Sequence, residues 1–156
     1  MTQWILLSFD GVKVIFSPIG QYALRIMVVV SQRDDGSPIR GRDLATLTGV
    51  PPAYLSKVCR RLTEAGLLLS QRGHYGGFRL ARPAEGITFA EVLDAVDSLP
   101  TAGECAFGWG PCASDDGPRE EPCPLHERWS ELSGHIQRWA DSSVLTDADP
   151  VSEPPV

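Results

Sequence analysis

Apolar side chains recur at helical spacing in five stretches of the chain, and most of these carry their own start or stop signal. In "SPIGQYALRIMVVVSQ", Ala23, Leu24, Met27 and Val28 repeat with the period of an α-helix. Ser17 is placed to cap this helix and Pro18 takes the first helical position, where a missing N–H costs nothing. The helix is predicted to end before "RDDGSP". A second helix, "GRDLATLTG", carries Leu44, Ala45 and Leu47 and stops at Gly49. After the turn "GVPP", the segment "AYLSKVCRRLTEAG" sets Leu55, Val58, Cys59 and Leu62 on one face, with Gly66 at its C-terminal stop. Two short helices joined across a tight glycine-containing turn form a helix-turn-helix pattern.

The period then changes to that of strands. Residues 67–70 and 78–81 read as two strands, and "RGHYGG" between them has the glycines that a sharp hairpin tip requires. A helix-turn-helix followed at once by a hairpin is the winged-helix arrangement. Next, "TFAEVLDAVDSL" opens with a capping box of Thr88 and Glu91, places Phe89, Val92, Leu93 and Val96 at helical spacing, and is predicted to end at Pro100. Farther on, Leu125, Trp129, Leu132, Ile136 and Trp139 are spaced 4, 3, 4, 3, a heptad-like stripe about two heptads long. This stripe is predicted to pack on a second chain, because the winged-helix core reads as complete without it; the alternative is a helix folded back on its own domain.

The expected fold is therefore mainly α with a small β-hairpin wing: a winged helix-turn-helix plus a long C-terminal dimerisation helix. The expected layout is an N-terminal extension (1–14), a winged helix-turn-helix (15–99), a cysteine-rich loop (100–124), a dimerisation helix (125–146) and a disordered acidic, Pro-rich tail (147–156). With 156 residues, 42% of them apolar, the chain can bury a real core. The longest apolar run, "YALRIMVVV", is broken by Arg25 and is too short for a membrane span. The first residues lack a basic leading segment and a small-residue cleavage site, so a cytoplasmic location is expected.

Net charge is −6 but is unevenly spread. Positions 40 to 82 hold eight basic residues (Arg40, Arg42, Lys57, Arg60, Arg61, Arg72, Arg79, Arg82) against Asp43 and Glu64, a local +6, and the rest of the chain carries −12. A basic face on an acidic body favours phosphate contact on one side. In a helix-turn-helix the second helix enters the major groove, with its early residues at base edges. Those positions are Ala53, Tyr54, Ser56 and Lys57, with Arg60 and Arg61 a turn further on as backbone grips; the wing adds Arg72 and His74, where a narrow minor groove attracts Arg. Plainer readings are surface clustering of charge, Tyr54 packed on the preceding helix and His74 as a solvated tip. Cys59, on the apolar face, reads as core.

The stretch "CAFGWGPCASDDGPREEPCPLHERW" gathers three of the four cysteines and one of the three histidines with spacing C-x6-C-x10-C-x2-H, in padding that cannot form a core. Thiolates suit zinc or iron–sulfur clusters, and Cys105, Cys112 and Cys123 with one nitrogen or oxygen ligand make either a closed zinc site or an anchored cluster. Only the step from Cys123 to His126 has the short spacing of a zinc knuckle, and the looser gaps favour the larger cluster. Arg119 is the single Lys or Arg in the loop, so no strong cation is at hand to activate a catalytic thiol. An enzyme is not expected.

Taken in order, "QYALRIM", "GVPPAYLSKVCRRLTEAGLL", "RGHYGGFRLAR", "ITFAEVLDAVD" and the three-cysteine loop ending "CPLHERW" resemble the IscR/NsrR-type winged-helix regulators of bacteria, over residues 16–145. The resemblance implies a homodimeric cytoplasmic regulator of transcription, in the first place a repressor, that binds a near-palindromic site on double-stranded DNA. It implies an iron–sulfur cluster held by Cys105, Cys112 and Cys123, whose response to redox state, nitric oxide or cluster supply sets operator affinity. His126 resembles the fourth ligand of the IscR branch, which favours a 2Fe-2S cluster over 4Fe-4S; a neutral imidazole in place of a thiolate raises the reduction potential and brings sensitivity to pH and oxidants. The plainer reading of His126 is a helix N-terminal residue without a metal role. This chain departs from the family in the longer gaps of its loop and in Gln21, which stands where the nitric-oxide-sensing branch has an acidic ligand. Family members begin near "VIFSPIG", so residues 1–13 are an extension or the product of an upstream start codon, with Val14 as the initiator. The alternative function is a winged-helix DNA-binding protein with a structural zinc site and no redox sensing. An electron carrier is disfavoured, since the sequence shows no second cluster motif.

Overall fold

The computed structural model describes residues 16–33, 36–73, 75–100, 105–107 and 123–148. The expected N-terminal extension, His74, Cys112, most of the cysteine loop and the tail from 149 onward lie outside the described residues. The first helix, α1 (Pro18–Ser31), begins as its sequence dictates: the Ser17 hydroxyl accepts from the Gly20 N–H at 3.2 Å, and Pro18 starts the first turn. Its buried residues Ala23, Ile26, Met27 and Val30 form the stripe against which α2 (Gly41–Thr48), α3 (Pro52–Glu64) and α4 (Phe89–Asp94) pack. Helix α2 stops at Gly49, whose φ of 65° suits a residue without a Cβ. Helix α3 buries the predicted face, Leu55, Val58, Cys59 and Leu62.

The wing is the antiparallel pair β1 (Leu68–Gln71) and β2 (Gly77–Leu80), in register from Leu68 opposite Leu80 to Gln71 opposite Gly77. Each strand lies one residue away from its predicted span. Ile39 adds a short bridge to Phe78 through two backbone bonds of 2.9 and 2.8 Å. That approach explains Gly77, where a Cβ would stand 2.3 Å from the Ile39 carbonyl oxygen. The winged-helix fold is thus present, mostly helical with a two-stranded sheet.

Two expectations need correction. Helix α4 ends at Asp94, well before Pro100, because the chain reverses at Asp97 with φ 53°. The last helix, α5 (His126–Ser142), also ends earlier than predicted, and the residues just beyond it belong to the core. Thr88 and Val144 form an antiparallel bridge, the Phe89 N–H bonds to the Ser143 carbonyl at 2.9 Å, and the Leu145 N–H bonds to the Ile87 carbonyl at 3.1 Å. Leu145 is fully buried in the main cluster beside residues of α1 and α3, a burial worth about 2 kcal/mol. The winged-helix core is therefore not complete without the C-terminal segment, and Asp147, expected in the tail, sits in a 3-10 turn whose carboxylate accepts from the Val144 N–H at 2.8 Å. Among the described residues no helix is long and apolar enough to cross a membrane.

Candidate nucleic-acid interface and metal-ligating turn

Burial of one face of α3 leaves Ala53, Tyr54, Ser56, Lys57 and Arg60 exposed along the other. Pro51 and Pro52 open this helix, so the first turn presents residues 53, 54, 56 and 57 with little backbone freedom. Tyr54 is 47% exposed, and its ring lies 5.7 Å from Tyr22 of α1. It leans on α1 while keeping an accessible edge. In the wing, Arg72 is exposed beside Gly73, whose φ is 107°.

The basic residues divide into two groups. Arg60 Nε pairs with Glu64 at 2.8 Å along α3, Arg61 Nη1 pairs with Asp97 at 3.0 Å, and Arg82 bonds to the Glu91 carboxylate and the Gly86 carbonyl. Arg40, Arg42, Lys57, Arg72 and Arg79 are exposed. Arg61 and Arg82 are thus engaged with carboxylates of their own domain, which sets them apart from the exposed basic residues. Glu64 fixes Arg60 by a hydrogen bond and its charge, holding that guanidinium's pKa above its ordinary value. At Glu91 burial works to raise the pKa, but the Thr88 backbone N–H and the Arg82 guanidinium outweigh it and hold the carboxyl below its ordinary value. The sequence could not tell these two groups apart, because the partners of Arg61 and Arg82 come from the segment around α4. It also offered little weight for Arg42, exposed in the first turn of α2, or for Tyr75, 80% exposed at the wing tip; an aromatic residue between hairpin glycines was the signal for the second.

The four cysteines also separate. Cys59 is buried in the core, and burial pushes its thiol pKa up to about 12, so it stays protonated at neutral pH. Cys105 and Cys123 are half-buried, and the Phe107 N–H donates to Cys105 Sγ at 3.5 Å. Cys123 lies just ahead of α5, and its carbonyl accepts the His126 N–H at 2.9 Å. The C-x2-H spacing thereby becomes one turn of chain. His126 Nδ1 is buried and has no hydrogen-bond partner among the described residues, while Nε2 lies 3.5 Å from the Ser130 hydroxyl. In the tautomer that leaves Nδ1 unprotonated, a buried imidazole nitrogen three residues from a cysteine suits a metal-ligating role, and soft sulfur with imidazole is a donor set that an iron–sulfur cluster accepts. No group of three ligating side chains is assembled among the described residues, and Cys112 lies outside them.

Helix α5 carries the predicted stripe unevenly. Leu125 and Leu132 are 51% and 53% exposed, and Trp129 and Ile136 are half-buried. Trp139 instead packs within its own chain, stacked on Phe16 at 5.7 Å and edge-on to Phe89 at 5.5 Å, and retains 44% exposure. Its expected place in a dimer interface thus competes with an intrachain one, since the C-terminal half of α5 does fold back on its own domain.

The profile of the Rrf2 family, described as an iron-dependent transcriptional regulator, matches residues 16–148. The chain belongs to the Rrf2 family. It is 31% identical over 126 residues to the HTH-type transcriptional regulator IscR of Escherichia coli (strain K12 / DH10B), a match covering 81% of this chain and 74% of that one. Among solved structures, T. potens IscR has a TM-score of 0.65 at 22% identity, covering 94% of this chain and 95% of that one. CymR (YrzC), the global cysteine regulator of B. subtilis, has a TM-score of 0.64 at 24% identity, covering 87% and 95%; these two likenesses concern the fold alone. As an Rrf2 protein the chain is a transcriptional regulator and not an enzyme, and DNA is its partner.

Proposed function

We propose that this Rrf2 chain is a homodimeric repressor whose affinity for a near-palindromic operator is set by an iron–sulfur cluster, 2Fe-2S in type, held by Cys105, Cys112, Cys123 and His126. The observation that carries this reading is the buried, unpartnered Nδ1 of His126 one turn from Cys123. An orphaned buried polar atom is costly, and ligation through the tautomer with Nδ1 unprotonated would satisfy it. When bound, the cluster supplies one-electron redox chemistry and lability toward oxidants and nitric oxide. The chain's own residues do the rest: Ala53, Tyr54, Ser56 and Lys57 face base edges, Arg60, Arg72 and His74 lie toward the phosphates or the minor groove, and Leu125, Trp129, Leu132 and Ile136, with Trp139 at the edge, meet a second copy. Two copies would place their recognition helices about one helical turn of DNA apart. The cytoplasm is the compartment that suits reduced thiols and DNA.

One observation favours a second reading. Cys123 and His126 have the short ligand spacing of a zinc knuckle, so a structural zinc site without redox function would use the same turn. Purification without oxygen, followed by metal and sulfide analysis and by visible and electron paramagnetic spectra, separates the two. A coloured protein with stoichiometric iron and sulfide supports the cluster. A colourless protein with stoichiometric zinc refutes it.

A further inference from the structure

Tyr75 carries the most exposed large hydrophobic side chain among the described residues, at 80%. Its place follows from the backbone of the wing tip. Strand pairing ends where Gln71 faces Gly77, and the Gly76 N–H then closes a four-residue turn onto the Gly73 carbonyl at 2.9 Å. Both glycines are required: Gly73 holds φ at 107°, and a Cβ on Gly76 would stand 2.3 Å from the Gln71 carbonyl oxygen. Tyr75, third in this turn, therefore stands at the outer end of the hairpin. A ring so exposed buries little area and adds little to folding, so the hairpin itself does not require it.

The surroundings of the tip select its partner. No acidic residue occurs between Glu64 and Glu85, whereas Arg72 in the same loop and Arg79 on β2 are exposed. A cationic tip favours the phosphate walls of a duplex. A recognition helix in the major groove leaves flanking elements to the adjacent minor groove. That groove is about 6 Å wide. A two-stranded ribbon, with strands about 4.8 Å apart before side chains are added, is too broad to enter it, whereas a single ring presented from a glycine turn is not.

We propose that Tyr75 is a specificity-determining residue of the DNA interface: its ring enters the minor groove beside the half-site and rejects pairs that carry the guanine 2-amino group. That amino group is what separates G·C from A·T on the minor-groove floor, and it occupies the space that the ring would fill. This role rests on the part of the proposed function that turns the wing toward the minor groove, and it adds selection by shape to the charge supplied by Arg72. Rejection of one wrong pair is worth about five-fold or more in affinity.

The test uses the full chain on a duplex enriched from a random pool with the wild-type protein. Each A·T pair flanking the half-site is replaced in turn by G·C and by inosine·C, which share a major-groove face and differ only in the 2-amino group. At one or two adjacent positions the wild type should lose about five-fold at G·C and recover it at inosine·C. Tyr75→Ala should distinguish the two by less than about two-fold, with an unchanged melting temperature, whereas Tyr75→Phe keeps the ring and should retain the discrimination. The salt slope of Tyr75→Ala should match the wild type, because no phosphate contact is given up, while Arg72→Ala should weaken binding with a slope shallower by about one. A wild type blind to the 2-amino group at every position, or discrimination undiminished in Tyr75→Ala, overturns this role alone when Arg72→Ala weakens binding. Full affinity in Arg72→Ala as well takes the wing out of the groove, and that part of the proposed function falls with it.

Discussion

The two ends of α5 live under different physical rules. At the C-terminal end Ala140 is fully buried, Trp139 stacks on Phe16, and residues 143 to 145 are stitched by backbone hydrogen bonds to the segment entering α4, with Leu145 sealed in the core. At the N-terminal end Leu125 and Leu132 stand half-exposed, and the turn from Cys123 to His126 carries a buried imidazole nitrogen with no hydrogen-bond partner among the described residues. The first end is held by the fold itself. The second leaves Leu125 and Leu132 largely exposed and His126 Nδ1 without a hydrogen-bond partner among the described residues, which is the condition in which a second chain and a bound metal centre have most to contribute. The two ends thus offer a fixed attachment to the winged-helix domain and a freer end at which the proposed cluster would be held.

The sharpest way to break the comparison is to damage each end in turn. Leu145→Ala should cost about 3 kcal/mol of folding stability through the cavity it leaves, read by denaturant melting of the metal-free protein. Leu132→Asp should leave that stability within about 0.5 kcal/mol while weakening self-association by about 2 kcal/mol or more, read by sedimentation. Equal stability losses would show that the N-terminal half is as firmly built into the monomer as the other.

Lys57→Ala acts on the reading face alone and should reduce operator affinity about ten-fold, with a salt slope shallower by about one if the contact is to phosphate. Gel-shift titration at several salt concentrations checks it. At the free end, His126→Ala should lower iron content, yet in metal-free protein it should be neutral or stabilising by up to about 1 kcal/mol, because it deletes an unsatisfied buried group. A clear destabilisation of the metal-free form would mean that the imidazole is structural.

The smallest effect belongs to the anchored end. Glu91 completes the cap on Thr88, which bridges Val144, and its carboxyl is held below its ordinary pKa. A depressed carboxyl contributes its stability in full above the unfolded value of about 4.3 and loses it as pH falls through the lower folded value. Glu91 is 42% exposed, so Glu91→Gln should cost no more than about 1 kcal/mol at neutral pH. That difference should close on acidification below roughly pH 4, as followed by thermal melts across pH.

Local signals made much of the fold legible. Ser17 and Pro18, Gly49, the four-residue face of α3 and the Thr88 capping box all act within a turn or two of chain, and each lies where its chemistry predicts. What escaped the sequence is tertiary. Nothing about Val144 and Leu145 announces that they return to Ile87 and Thr88, and an aspartate in place of glycine hid the corner that ends α4. Arg61 read as a phosphate grip, and Arg82 as one more charge on the basic face, because their carboxylate partners are reached through the fold. At the candidate metal site the donor types and the Cys123–His126 turn were readable, whereas the burial of Nδ1 was not.

The central claim is that the state of a cluster on the free end of α5 governs how the basic face meets DNA. Its most direct test is operator titration of one anaerobic preparation before and after cluster removal, with iron and sulfide counted in each sample. The account predicts iron and sulfide in the first sample only, and dissociation constants that differ by about ten-fold or more. Equal constants, or an absence of iron and sulfide from the start, would contradict it.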